Sequence, residues 1–118
     1  MNTSLFRIAA SLCFLAVGLG AFGAHALKGT LVTNATTEVW KTAALYHFLH
    51  ALALLVLAAL PSVSRPVAGL FLSGILLFSG SLYLLALTNV KWLGAITPLG
   101  GLCFLAGWLW LIAWPPRS

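Results

Sequence analysis

The sequence predicts an all-α membrane protein, a four-helix transmembrane bundle with antiparallel neighbours and short loops, forming a single integral membrane domain over residues 1–118. Three observations carry that prediction. Hydrophobic residues make up 62% of the 118 and charged residues only 6%, with a mean hydropathy of +1.09, and so little charge does not keep a soluble domain in solution. Four segments are long enough to cross about 30 Å of hydrocarbon, which takes about 20 apolar residues of helix. The connections are too short to hold a domain outside the bilayer, so consecutive helices must be antiparallel neighbours.

The first span runs from about Leu5 to Leu27. Arg7 ahead of an apolar run that closes on Ala24-His25-Ala26 imitates a signal peptide with its small-x-small cleavage site. The run is long for a signal core, and the span is expected to be retained. A connection from Lys28 to about Val39 leads to the second span, Trp40 to Leu60. Asn34, Thr36 and Thr37 are expected to cap its start, with Glu38 placed in the first turn, where the helix dipole favours an acid.

The third span runs from about Val67 to Leu87, and Pro61 and Pro66 bracket the turn before it. The fourth runs from about Trp92 to Trp114, stopped by Pro115 and Pro116. Thr97 before Pro98 reads as an N-cap followed by the residue best tolerated at the first helical position. The fourth helix is therefore expected to break, kink or begin there.

Six Lys or Arg stand against the single acid Glu38, a net charge of +5. In a soluble protein that balance would suggest nucleic acid. Here the cations lie singly at the ends of apolar runs, as interface anchors and topology signals, and no nucleic-acid partner is expected. Arg7, Arg65 and Arg117 share the side of the termini, while Lys28, Lys41 and Lys91 share the other. The positive-inside count is a tie. Cys13 and Cys103 both sit in apolar stretches and imply no disulfide framework.

Between helices in lipid, close approach depends on small residues. Ala16, Gly20 and Gly23 lie along the first span, Gly69, Ser73 and Gly80 along the third, and Gly100 and Gly107 along the fourth. These stripes are expected to pack the bundle, or to face a second protomer.

Polar groups gather on the side opposite the termini. His47 and His50 share a face of the second span, and His50 lies about 15 Å into it. His25, Glu38, Tyr46 and Ser81 complete a candidate polar site. An ionisable group at such depth is a functional hypothesis by default.

Three histidines and one Glu could in principle hold zinc, yet the i, i+3 pair is a weak signal and carboxylates to orient the imidazoles are missing. Haem needs axial ligands on opposite faces of the iron, which two histidines of one helix face cannot supply. No metal or other cofactor is expected. A proton path from His50 through His47 toward Glu38 is a third reading, and a pore would then require oligomerisation. Against all three stand neutral histidines simply hydrogen-bonded to neighbouring helices, with Ser79, Ser81 and Tyr83 as candidate partners. There is no Asp, and a single carboxylate side chain excludes paired-acid catalysis within one chain.

The motifs Gly20-Ala21-Phe22-Gly23-Ala24-His25-Ala26-Leu27, Tyr46-His47-Phe48-Leu49-His50-Ala51, Phe78-Ser79-Gly80-Ser81-Leu82-Tyr83 and Ile96-Thr97-Pro98-Leu99-Gly100-Gly101 fall one to a span. Together they resemble the bacterial YgdD-type family, domain of unknown function 423, of small inner-membrane proteins with relatives among small eukaryotic transmembrane proteins. The resemblance implies a multi-pass protein of the bacterial inner (plasma) membrane and transfers no catalytic residue.

The expected role is non-enzymatic: structural, in membrane integrity or in assembly, with membrane lipids, a second copy or a membrane-protein partner against its surface. The alternative is an oligomeric transporter, channel or lipid-handling protein that uses the polar site near His25, His47, His50 and Glu38.

Overall fold

A computed structural model describes residues 1–116; Arg117 and Ser118 lie outside the described residues. Asn2 starts helix α1 (Thr3–Ala24), its side-chain oxygen accepting the Leu5 N–H at 3.0 Å. The Asn2 N–H donates to the Ala58 carbonyl at 2.9 Å, which ties the start of the first span to the end of the second. Helix α1 stops three residues short of Leu27. A short helix α2 (Lys28–Thr33) occupies much of what the sequence reads as a loop, and α3 (Thr37–Ala59) follows.

The third span is α4 (Arg65–Gly74), a π-helical turn over Ile75–Ser79, and α5 (Gly80–Thr88), 24 residues without a break. A 3₁₀ turn over Lys91–Ala95 then leads into α6 (Thr97–Ala113). Thr3–Ala24, Thr37–Ala59, Arg65–Thr88 and Lys91–Ala113 are each long and apolar enough to cross a membrane.

Three expected caps do other work. Thr97 is the first residue of α6 rather than its cap, and its hydroxyl lies 2.6 Å from that of Ser81 on α5. Thr36 precedes α3, but its hydroxyl donates to the Ala86 carbonyl at 2.8 Å instead of accepting a helix N–H. Asn34 donates to the same carbonyl at 3.0 Å. The last carbonyls of a helix have no partner within it, and in lipid no water replaces one. The two side chains meet that need at the end of α5.

The clasp also accounts for Ala35, whose φ of 55° is left-handed, a conformation that costs a non-glycine residue about 1 kcal/mol. It lets Asn34 and Thr36 reach one target. We expect Thr36→Val to lower stability by about 1 kcal/mol, measured as thermal unfolding in detergent. Combined with Asn34→Ala, the loss should exceed the sum of the two, because only the double variant leaves the Ala86 carbonyl bare.

The helices pack in chain order. Helix α1 lies on α3, α3 on the third span, and the third span on α6, while α1 and α6 form no interface. Near the termini the core is built from Leu5 and Ala9 of α1, Leu54, Leu57 and Ala58 of α3, and Val67 and Phe71 of α4. A second, smaller cluster at the opposite end gathers Leu31, Trp40 and Ala86. Between them lie His47 and His50.

Rings seated on glycines join the third span to α6. An added Cβ at Gly107 would meet the Phe71 ring, one at Gly74 the Phe104 ring, and one at Gly100 the Phe78 backbone itself. As the residue number rises on one helix it falls on the other, so the two run antiparallel. On α1, Gly23 admits the Trp40 indole, whose Nε1–H donates to the Leu19 carbonyl at 2.9 Å.

Candidate functional site

His50 is 4% exposed. Its Nδ1 lies 2.8 Å from the Tyr46 carbonyl, one turn earlier on α3. A carbonyl only accepts, so Nδ1 carries the proton. The other nitrogen, Nε2, accepts the indole N–H of Trp108 on α6 at 3.0 Å. Both nitrogens are therefore satisfied by a single tautomer, the neutral ring with its hydrogen on Nδ1.

Aromatic rings close in the faces and edges of this imidazole. Phe104 stacks on it, with centroids 3.6 Å apart and planes within 9°. Phe71 meets it edge-on at 5.1 Å, and Phe71 and Trp108 are 4.9 Å apart. A polar contact between α3 and α6 thus lies inside a cage of rings that α4 helps to close. A second proton on Nε2 would set one N–H against another.

His47, also 4% exposed, turns to a different neighbour. Its Nδ1 is hydrogen-bonded to the Tyr83 hydroxyl of α5 at 2.9 Å, and Tyr83 meets Trp40 edge-on with centroids 4.8 Å apart. The Nε2 atom of His47 is buried without a hydrogen-bond partner among the described residues.

Of the remaining candidate residues only Tyr46 joins these rings, its own lying 6.3 Å from that of His50. His25 is exposed at the end of α1. Glu38 faces outward and pairs with Lys41 at 3.6 Å, both side chains largely exposed. Tyr46 lies partly outside, its ring 4.8 Å from that of Phe78. Ser81 donates to the Phe78 carbonyl at 2.9 Å and meets Thr97 rather than a histidine. Ser79 donates to the Ala43 carbonyl at 2.8 Å. Among the described residues no group of three His, Cys, Asp or Glu is placed to hold a metal ion.

Of the small residues, Ala16 is buried, and Gly23, Gly100 and Gly107 sit under neighbouring side chains or backbone. Gly20 and Gly69 face open space, Gly80 has its nearest neighbour at 3.9 Å, and Ser73 is exposed. Two participants escape a reading of the sequence. Trp108, the partner of His50, lies 58 residues away, and Gly74 falls outside the Gly69, Ser73, Gly80 series.

The chain is similar to known proteins over most of its length. A family model described as "Protein of unknown function (DUF423)" matches residues 19–101. A UPF0382 membrane protein of Staphylococcus haemolyticus is 48% identical over 113 residues, covering 92% of each chain. The UPF0382 membrane protein YwdK of Bacillus subtilis is 49% identical over 104 residues, covering 83% of this chain and 84% of its own. No solved structure gives a significant match.

Proposed function

Because the chain belongs to the DUF423 family of proteins of unknown function, we propose from its physical chemistry a non-enzymatic role, in which the four spans serve membrane integrity or the assembly of a membrane complex. The observation that supports this reading most is the bonding of His50. A polar side chain deep in a membrane is functional by default, yet both nitrogens of this one are engaged, by the Tyr46 carbonyl and the Trp108 indole. In that arrangement it fixes how α3 meets α6, the use of polar groups as glue between membrane helices. A relay that begins at His50 would need a free nitrogen on that ring, whereas the unpartnered nitrogen belongs to His47 and His50 has rings on its flanks.

The site of action in this reading is the bacterial plasma (inner) membrane. The relatives are bacterial proteins named as membrane proteins, and helical spans satisfy their own backbone in lipid.

Reconstitution into liposomes tests the role. The protein should pass neither protons nor small solutes above protein-free vesicles, and native mass spectrometry of membrane extracts should recover it with a second protomer or another membrane protein. Flux that disappears on His50→Ala, with helicity unchanged, would overturn the proposal in favour of transport.

A further inference from the structure

A cleft opens between α1, α2 and α3, away from the imidazole cage. A cavity of about 180 Å³ has Gly20, Gly23, Ala24 and Ala44 on its walls and reaches Lys41 at its mouth. It adjoins a second of about 220 Å³ that brings in Lys28 and shares Gly23, Ala24, Thr37 and Lys41 with the first. The walls are largely apolar, small residues alternating with Leu31, Trp40 and Val32. Gly20 in particular has no atom within 4 Å of where a Cβ would stand, whereas the space at Gly23 is taken by Trp40.

The mouth is positive. Lys28 has no acidic partner among the described residues, where the one ion pair joins Lys41 to Glu38 at 3.6 Å with the side chains 68% and 86% exposed. Such an exposed pair adds little and is easily exchanged for a better acceptor. The cleft lies at the ends of the first two spans, where hydrocarbon gives way to headgroups, so each half of it meets matching chemistry. Two ammonium groups and the Thr37 hydroxyl meet the headgroup level, and the groove beneath them meets acyl chains.

We propose that this cleft binds one anionic phospholipid, with its phosphate against Lys28 and Lys41 and the upper part of an acyl chain laid along Gly20, Gly23 and Ala24. The charge selects the headgroup, and the apolar walls select a lipid over a free anion. The site is separate from His50 and holds whether or not the protein assembles with a partner.

The full chain in detergent, titrated with phosphatidylglycerol or phosphatidylcholine of identical acyl chains and read by native mass spectrometry, tests the proposal. One phosphatidylglycerol should be retained in preference to phosphatidylcholine. A lysine near an anionic surface contributes about a fivefold factor, so Lys28→Gln and Lys41→Gln should each weaken phosphatidylglycerol about fivefold and leave phosphatidylcholine unchanged. Lys91→Gln, on the same side of the membrane but outside the cleft, should change neither.

Gly20→Leu fills the groove from an open position and should reduce retention of both lipids, with the melting temperature confirming that the fold survives. Equal retention of the two lipids would overturn the proposal, as would lysine variants that bind like the parent or a Gly20→Leu variant that retains lipid fully. Displacement of the lipid by millimolar inorganic phosphate would do the same, by reducing the site to one for a simple anion.

Discussion

Gly100→Ala is expected to destabilise the protein by about 3 kcal/mol, the upper range for overpacking a close contact. The added carbon would overlap the backbone nitrogen of Phe78, in the π-helical turn across the interface. A flexible side chain could move aside; a backbone in the middle of a span cannot, short of separating the two helices. Gly101→Ala is the natural comparison, because a Cβ there meets only the Phe78 ring at an ordinary 3.8 Å. Thermal unfolding in detergent should show a large drop for the first and little change for the second. Equal midpoints would mean that α6 does not cross the third span at Gly100.

His50→Ala should cost a similar amount, about 3 kcal/mol, from two sources. Removing the ring leaves a void between Phe71 and Phe104, and it takes the acceptor away from the Trp108 N–H. Trp108→Phe keeps an aromatic ring while removing the donor and part of the indole's bulk, so it should cost about 1–2 kcal/mol, chiefly the penalty for an unsatisfied Nε2. In a double-mutant cycle the two losses should be strongly non-additive, since they break one bond. Additive losses in denaturant or heat unfolding would contradict the His50 to Trp108 contact.

The four spans are legible because length and apolar content alone define a crossing, and the prolines at 61, 66, 115 and 116 punctuate it. What lies within each span is harder to read. A helix apolar on every side carries no stripe to say which face is inward, so Gly20 and Gly69, at plausible spacings, face open space while Gly74 sits beneath Phe104. Depth along a helix is readable, and it places His25, Glu38, His47 and His50 toward one side of the membrane. Direction around the helix is not, and there the residues part: His47 toward α5, His50 toward α6, and His25 and Glu38 outward. Trp108 gives no local signal at all, because its bond joins residues from the second and fourth spans.

Helix α2 was masked in a different way. Six residues between two spans form a loop by any argument from hydropathy. Its hydrogen-bonded ending, through Ala35 and the Asn34 and Thr36 side chains, depends on where α5 happens to stop.

The π-helical turn makes the third span two packing units in a single crossing. Its first half, α4, lies chiefly on α6, and its second half, α5, on α3 and the 3₁₀ turn. A π turn holds one residue more than an α turn would, and each residue of a helix accounts for about 100° of rotation, from 3.6 residues per turn. The extra residue therefore sets the phase between the halves. Losing one residue from Ile75–Ser79 would leave the span long enough to cross the bilayer while swinging the partners of Ser81 and Tyr83 out of reach. The same loss between Leu60 and Ser64, outside the helices, would change no phase within the span. In this protein the length of a membrane crossing is constrained by angle more tightly than by reach.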